Sequence, residues 1–196
     1  MADKCQFSGF IEEGKVCQHP AFQDSEYCYW HDPDIPKSEE FVRSALENVI
    51  KATGGDLEGY VLKQANLEGM NLSNVNLKDA DLTGTNVNGA NFNDADMRGV
   101  KMNNASAVGA DFENANLMTA NLSSGNFTNA NFKNTNFRIV LVENAVMDGA
   151  VFDGSDRRHT TMFMGMPASA ESAAQPAAAQ PASDPGLHTA QTVMDQ

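Results

Sequence analysis

The residues best suited to chemistry lie at the start of the chain. Cys5, Cys17, Cys28 and His31 fall within residues 1–36, and the 196-residue sequence contains no other cysteine. Three thiolates and one imidazole make a standard tetrahedral zinc set. Cys28-Tyr29-Trp30-His31 has the two-residue gap through which one turn supplies two ligands. Gly9, Gly14 and Pro20 provide turns between the others. The segment has few aliphatic residues, too few to bury a core unaided. An odd cysteine count is a poor disulfide framework and a better metal site in a reducing compartment. Four protein ligands close the coordination shell, so the expected Zn2+ is structural and not catalytic. The plain alternative is three free buried thiols and a surface histidine. His19 is a rival ligand, but Cys17-x-His19 is tighter than zinc usually accepts from consecutive ligands.

The two runs Gly14-Lys15-Val16-Cys17-Gln18-His19-Pro20 and Tyr27-Cys28-Tyr29-Trp30-His31 resemble small zinc modules of three cysteines and one histidine. That resemblance implies Cys5, Cys17, Cys28 and His31 as the metal ligands. Some such modules are described as DNA-binding. Here Lys4 and Lys15 stand against Asp3, Glu12, Glu13, Asp24, Glu26, Asp32 and Asp34, so direct nucleic-acid contact is not expected.

The elements that must position this knot follow it. Residues 37–54 read as an amphipathic helix. Ser38 is a capping residue, with Glu39 and Glu40 in the first turn where the helix dipole favours acids. Phe41, Val42, Ala45, Leu46, Val49 and Ile50 recur on one helical face. Gly54-Gly55 ends it. Residues 55–154 then divide into twenty five-residue blocks with no insertion. The third position is apolar in all twenty, and the first is Ala in eleven. The second is Asn or Asp in fourteen, and the fifth is Gly, Asn or Asp in sixteen. A fixed period of this kind signals a stack of repeats. Such a stack exposes an apolar disc and a free backbone edge at its start, which the preceding helix is placed to cap.

The run Ala115-Asn-Leu-Met-Thr, Ala120-Asn-Leu-Ser-Ser, Gly125-Asn-Phe-Thr-Asn, Ala130-Asn-Phe-Lys-Asn resembles the pentapeptide-repeat family, written Ala-Asp/Asn-Leu-x-x. The resemblance covers about half the chain. It implies an all-β fold, a right-handed quadrilateral β-helix of about five coils, four blocks to a coil, with third-position side chains pointing inward. The small zinc module and the capping helix would precede it. Every fourth block then shares a side. One side stacks Leu57, Leu77, Met97, Leu117 and Phe137, and the next Leu62, Leu82, Met102, Leu122 and Val142. The third stacks Leu67, Val87, Ala107, Phe127 and Met147, and the fourth Leu72, Phe92, Phe112, Phe132 and Phe152. Asn and Asp at the second position suit bonds to nearby backbone and stacking between coils.

Some members of that family resemble duplex DNA and bind type II topoisomerases such as DNA gyrase, inhibiting them or protecting them from quinolones. An overall charge of −13 invites that alternative. Sorted by side, however, the twenty blocks carry twelve acids and six bases, and Lys78, Arg98 and Arg138 lie along the first side. A phosphate mimic needs a dense acidic face, because duplex DNA carries one charge per ~1.7 Å. The sequence therefore favours a protein-interaction scaffold whose partner it does not name. No apolar window is long enough for a membrane span, and the opening residues show no signal peptide, so a cytoplasmic location is expected.

The last coil departs from the pattern. Leu141, Val146 and Val151 occupy second positions, with Ile139 and Val140 just before them, and Met162-Phe163-Met164-Gly165-Met166 follows. Ile139, Leu141, Val146, Val151, Met162 and Phe163 are therefore candidate interface residues. Either segment 155–166 folds back as a cap or two rods meet end to end. Relatives often dimerise through this end, which favours the homodimer. Residues 167–196, rich in Ala, Pro, Ser and Gln, read as a disordered tail. The filled interior leaves no cleft, and no nucleophile or phosphate-loop motif is present, so no enzymatic activity is expected.

Overall fold

The structure, a computed structural model, describes residues 28–34 and 41–160. Helix α1 spans Phe41–Thr53. It buries Val42 and Leu46 in the same apolar core as Leu57, with Ala45, Val49 and Ile50 packed against it, as the helical spacing predicts. Gly54 follows at φ 67°, and the Gly55 amide returns to the Ile50 carbonyl at 2.9 Å. Positive φ costs glycine nothing, so the chain turns here out of the helix and into the repeat.

From Asp56 the chain winds as a parallel stack with a strict twenty-residue register. Asp56 pairs with Asn76, Val61 with Asp81, and so on to Asn136 with Asp156. Among the described residues the pairing consists of single bridges at second positions, with no extended strand. The physical reason is the length of a side. Five residues hold one turn and leave only the second position extended between corners. Each block also repeats the same bonds. The Leu77 amide donates to Asp96 in the following coil at 2.7 Å, Asp79 to Arg98 at 2.8 Å, and Ala80 closes the corner on Leu77 at 3.0 Å.

Every fifth position from Gly59 to His159 has positive φ. That is why Gly, Asn and Asp dominate there: they are the residues that enter this region at least cost. Second-position Asn and Asp do what the sequence predicts of them. Asp81 Oδ1 accepts from the Thr83 amide at 3.0 Å, and Asn76 Nδ2 donates to Asp56 Oδ1 in the coil before at 2.9 Å. The first satisfies a corner and the second ties neighbouring coils.

All twenty third-position side chains are buried. The Phe column of the fourth side stacks Phe92, Phe112, Phe132 and Phe152 at centroid spacings of 5.0, 4.9 and 5.0 Å, with the rings within 11° of parallel. That spacing is close to the roughly 4.8 Å between paired strands, so the ladder is imposed by the coil rise. Gly125 replaces the usual first-position Ala because a Cβ there would lie 2.5 Å from the Phe127 ring. Buried Thr85 and Thr135 also stand at first positions, and each hydroxyl donates to a carbonyl of the preceding coil, Leu62 at 2.9 Å and Phe112 at 3.1 Å.

The coil pattern continues one block beyond Gly154. Ser155-Asp156-Arg157-Arg158-His159 is a twenty-first block, bridged at Asp156 and turned at His159. Its third position is Arg157, buried, with the guanidinium 5.6 Å from the centre of the Phe152 ring. The aromatic face at the end of the fourth column lets a cation occupy an inward position.

Candidate functional site

The first coil has backbone groups that no earlier coil can pair. In later coils a second-position amide donates to a first-position carbonyl of the coil before, as Asp81 does to Tyr60 at 2.8 Å. A fourth-position carbonyl accepts from a fifth-position amide, as Lys78 does from Gly59 at 2.9 Å. At the start of the rod other groups take these places. The Asp56 amide donates to Thr53 Oγ1 at 3.1 Å and the Val61 amide to the Trp30 carbonyl at 2.6 Å. The Glu68 carbonyl accepts from Arg43, and the Glu58 carbonyl lies 3.5 Å from His31 Nε2. Segment 28–34 and α1 thus replace part of a missing coil.

Two of the four expected metal ligands are brought together there. Cys28 and His31 are both buried, and Cys28 Sγ lies 3.2 Å from His31 Nδ1. The turn that joins them is fixed by the amides of His31 and Asp32, each donating to the Cys28 carbonyl at 3.0 Å. Tyr60 supports the turn from below. Its ring stacks on Trp30 at 5.6 Å and meets the His31 ring edge-on at 5.0 Å. A soft thiolate beside an imidazole nitrogen, held in one tight turn, fits half of a zinc shell. Cys5 and Cys17 lie outside the described residues. Sequence reasoning missed Trp30, Glu58, Tyr60 and Arg43. Tyr60 alone gave a signal, as an aromatic where Ala is the commonest residue.

At the other end, the structure places four of the six candidate interface residues on the outside of the stack. Ile139, Leu141, Val146 and Val151 are 45%, 42%, 44% and 37% exposed. Leu141, Val146 and Val151 belong to three consecutive sides of the last coil, so the apolar surface is a band around the rod. None of the three can make the side-chain bond to backbone that Asn makes at this position. Ile139 sits at a corner with φ 58°, and Thr119, one coil earlier on the same corner, has φ 63°. A β-branched residue in this region is strained by about 1–2 kcal/mol. Met162 and Phe163 lie outside the described residues.

Between the ends, the charges of the first side are paired along it. Lys78 Nζ meets Glu58 at 3.1 Å, and that hydrogen bond raises the lysine above its ordinary pKa. Arg98 lies against Asp96. Burial pushes the Asp96 carboxyl up, but the bonds and charge of Arg98 outweigh it and leave the group below the usual range. Asp156 is hydrogen-bonded by Arg158, with Nε at 2.8 Å and Nη2 at 2.6 Å, and drops to about 2. Arg138 approaches the same carboxylate at 3.9 Å.

Coils of four five-residue sides, filled by third-position side chains and turned at every fifth, define a solenoid of the β-helix class. The family described as Pentapeptide repeats (8 copies) matches residues 61–99, 76–114 and 101–138. This part of the chain is therefore similar to pentapeptide repeats. Similar solved structures include two described as pentapeptide repeat proteins. One from the Arabidopsis thaliana thylakoid lumen is 26% identical over 47% of this chain, with a TM-score of 0.43. The match spans 61% of that protein's own chain. Rfr23 from the cyanobacterium Cyanothece 51142 is 17% identical over 60% of this chain and 97% of its own, with a TM-score of 0.46. Trypsin-treated QnrB1, a plasmid-mediated fluoroquinolone resistance protein, is 26% identical over 54% of this chain and 56% of its own, with a TM-score of 0.32. No curated protein matches this chain.

Proposed function

We propose that the chain is a non-enzymatic protein-interaction scaffold of the cytoplasm, built on the pentapeptide-repeat rod and closed at its start by α1 and a structural zinc module. Cys5, Cys17, Cys28 and His31 hold the metal, which cross-links a segment too poor in apolar residues to fold alone. The observation that carries the scaffold reading is the apolar band of Ile139, Leu141, Val146 and Val151, outward-facing side chains where the rest of the rod shows Asn or Asp at most second positions. Large exposed apolar surface of this kind marks a contact with another protein. The contact is with a second copy of the chain, joined at the C-terminal end. Mimicry of DNA, with gyrase as partner, is the weaker reading, because Glu58, Asp96 and Asp156 are already paired with the rod's own Lys78, Arg98 and Arg158.

The test restores the repeat's own chemistry. A chain carrying Leu141→Asn, Val146→Asn and Val151→Asn keeps the second-position pattern and should fold. Light scattering at micromolar concentration is expected to give two chains for the parent and one for the variant. A parent mass of one chain, or an unchanged dimer in the variant, refutes self-association through this band. A gyrase supercoiling assay with and without a quinolone is expected to show no effect of the protein; inhibition or protection would move the conclusion to the mimic.

A further inference from the structure

We propose that the second copy lies alongside the last coil in the opposite direction, with each copy's Arg138 meeting the other's Glu143 across a contact of Ile139 with Leu141. This rests on the self-association read above and assigns its orientation. Leu141, Val146 and Val151 face outward from the flanks of the rod. A joint between the open ends of two rods would leave them in water, so a partner that covers them lies beside the coil. Charge decides which flank it takes. On three sides in turn, an exposed acid follows two residues after the apolar second position: Glu143 after Leu141, Asp148 after Val146 and Asp153 after Val151. Among the described residues none of these acids has an ion pair. Two copies meeting at the corners between these sides would bring like charges together.

The corner at Ile139 is different, because the side before it carries cations. Arg158 engages Asp156 through two hydrogen bonds, whereas Arg138 Nε has no hydrogen-bond partner and reaches the same carboxylate only at 3.9 Å. Two guanidinium groups share one carboxylate, and Arg138 has the weaker hold on it. From 138 to 143 the outward side chains are Arg138, Ile139, Leu141 and Glu143, since Val140 and Val142 are buried. The series runs base, apolar, apolar, acid. It matches a second copy of itself only when that copy runs the other way. Ile139 then faces Leu141 twice, and Arg138 faces Glu143 twice. A two-fold axis through the corner produces this arrangement, with the rods antiparallel and overlapping at their last coils. Ile139 itself is an independent sign. It stands at φ 58°, where glycine, asparagine and aspartate are less strained, and it is 45% exposed. A residue unfavourable both for the corner and for the water around it is accounted for by what covers it.

The experiment uses the full chain and sedimentation velocity at micromolar concentration. Arg138→Glu and Glu143→Arg each place like charges across the contact, and each is expected to weaken association about tenfold or more. Mixing the two variants restores both pairs, and so does placing both substitutions in one chain, so the dimer is expected to return in either case. Val151→Asn, on the side opposite Leu141, should leave the dimer unchanged. Circular dichroism of the single variants is expected to match the parent, which separates loss of contact from loss of fold. Glu143 is exposed and has no ion pair among the described residues, so Glu143→Arg keeps the test decisive even if Arg138→Glu disturbs the neighbouring Asp156. A dimeric parent whose Glu143→Arg variant stays dimeric, or whose folded single variants are not rescued by mixing, overturns this orientation and leaves self-association standing. A parent that sediments as one chain overturns both.

Discussion

The two ends of the rod solve the same problem in opposite ways. At the first coil, backbone groups without a neighbouring coil are taken up by Thr53, Trp30 and Arg43, and buried side chains of α1 join the core. At the last coil, polar second positions give way to Leu141, Val146 and Val151, and a strained corner is kept at Ile139. One end is finished by residues of this chain. The other presents apolar side chains outward, which raises the cost of leaving it in water. The difference shows that a solenoid's ends diverge in chemistry even though its coils are built alike. It also separates side chains that close the rod from side chains that face outward.

The comparison breaks most visibly at Leu46, which is fully buried. Leu46→Asp removes a core side chain and buries a charge without a partner, so a loss of about 3–5 kcal/mol and aggregation through the opened first coil are expected. Chemical denaturation and light scattering check this, and a soluble, fully folded variant would show that α1 does not close the rod. At the other end the sign should reverse. Ile139→Asn puts a residue suited to φ 58° at that corner and removes exposed apolar surface. The rod is expected to gain about 1 kcal/mol while association weakens. A less stable variant, measured by thermal melting, would mean the Ile139 side chain packs inside the chain and not outward.

The smallest expected effect concerns pH. The bonds from Arg158 hold the Asp156 carboxyl near 2, below the roughly 3.9 of an unfolded chain. Its contribution is therefore complete above about pH 4 and disappears as the pH falls through 2. The pair is exposed, so the contribution stays within the range of surface ion pairs. Melting temperatures of the parent and of Asp156→Asn should converge between pH 4 and pH 2. A constant difference over that interval would mean that the carboxylate is not what Arg158 stabilises.

Most of the rod was legible because its signals are local and repeated. The block register set at Gly55, the four columns and the Phe92–Phe152 ladder all follow from position within a block. The twenty-first block escaped because Arg157 breaks the apolar rule at the third position. The ring of Phe152, adjacent in space, meets the guanidinium at that position, and no period in the sequence encodes the contact. The closure of the first coil was half legible. The apolar face of α1 could be read from its spacing, whereas the bond from Val61 to Trp30 joins residues whose proximity no period encodes. Cys28 and His31 were readable as a pair from their spacing, but the role of Glu58 was not, since its carbonyl matters only through the coil it belongs to.

The strict twenty-residue register has a consequence for how this molecule could change length. Inserting or deleting a whole coil would move the ends apart or together by roughly 4.8 Å and leave their relative direction the same. A single five-residue block would shift them far less along the rod, yet turn one end by about a quarter revolution relative to the other. The rod therefore acts as an indexing shaft between the Cys28–His31 turn and the apolar band. Its length sets their distance finely and their mutual bearing in coarse steps.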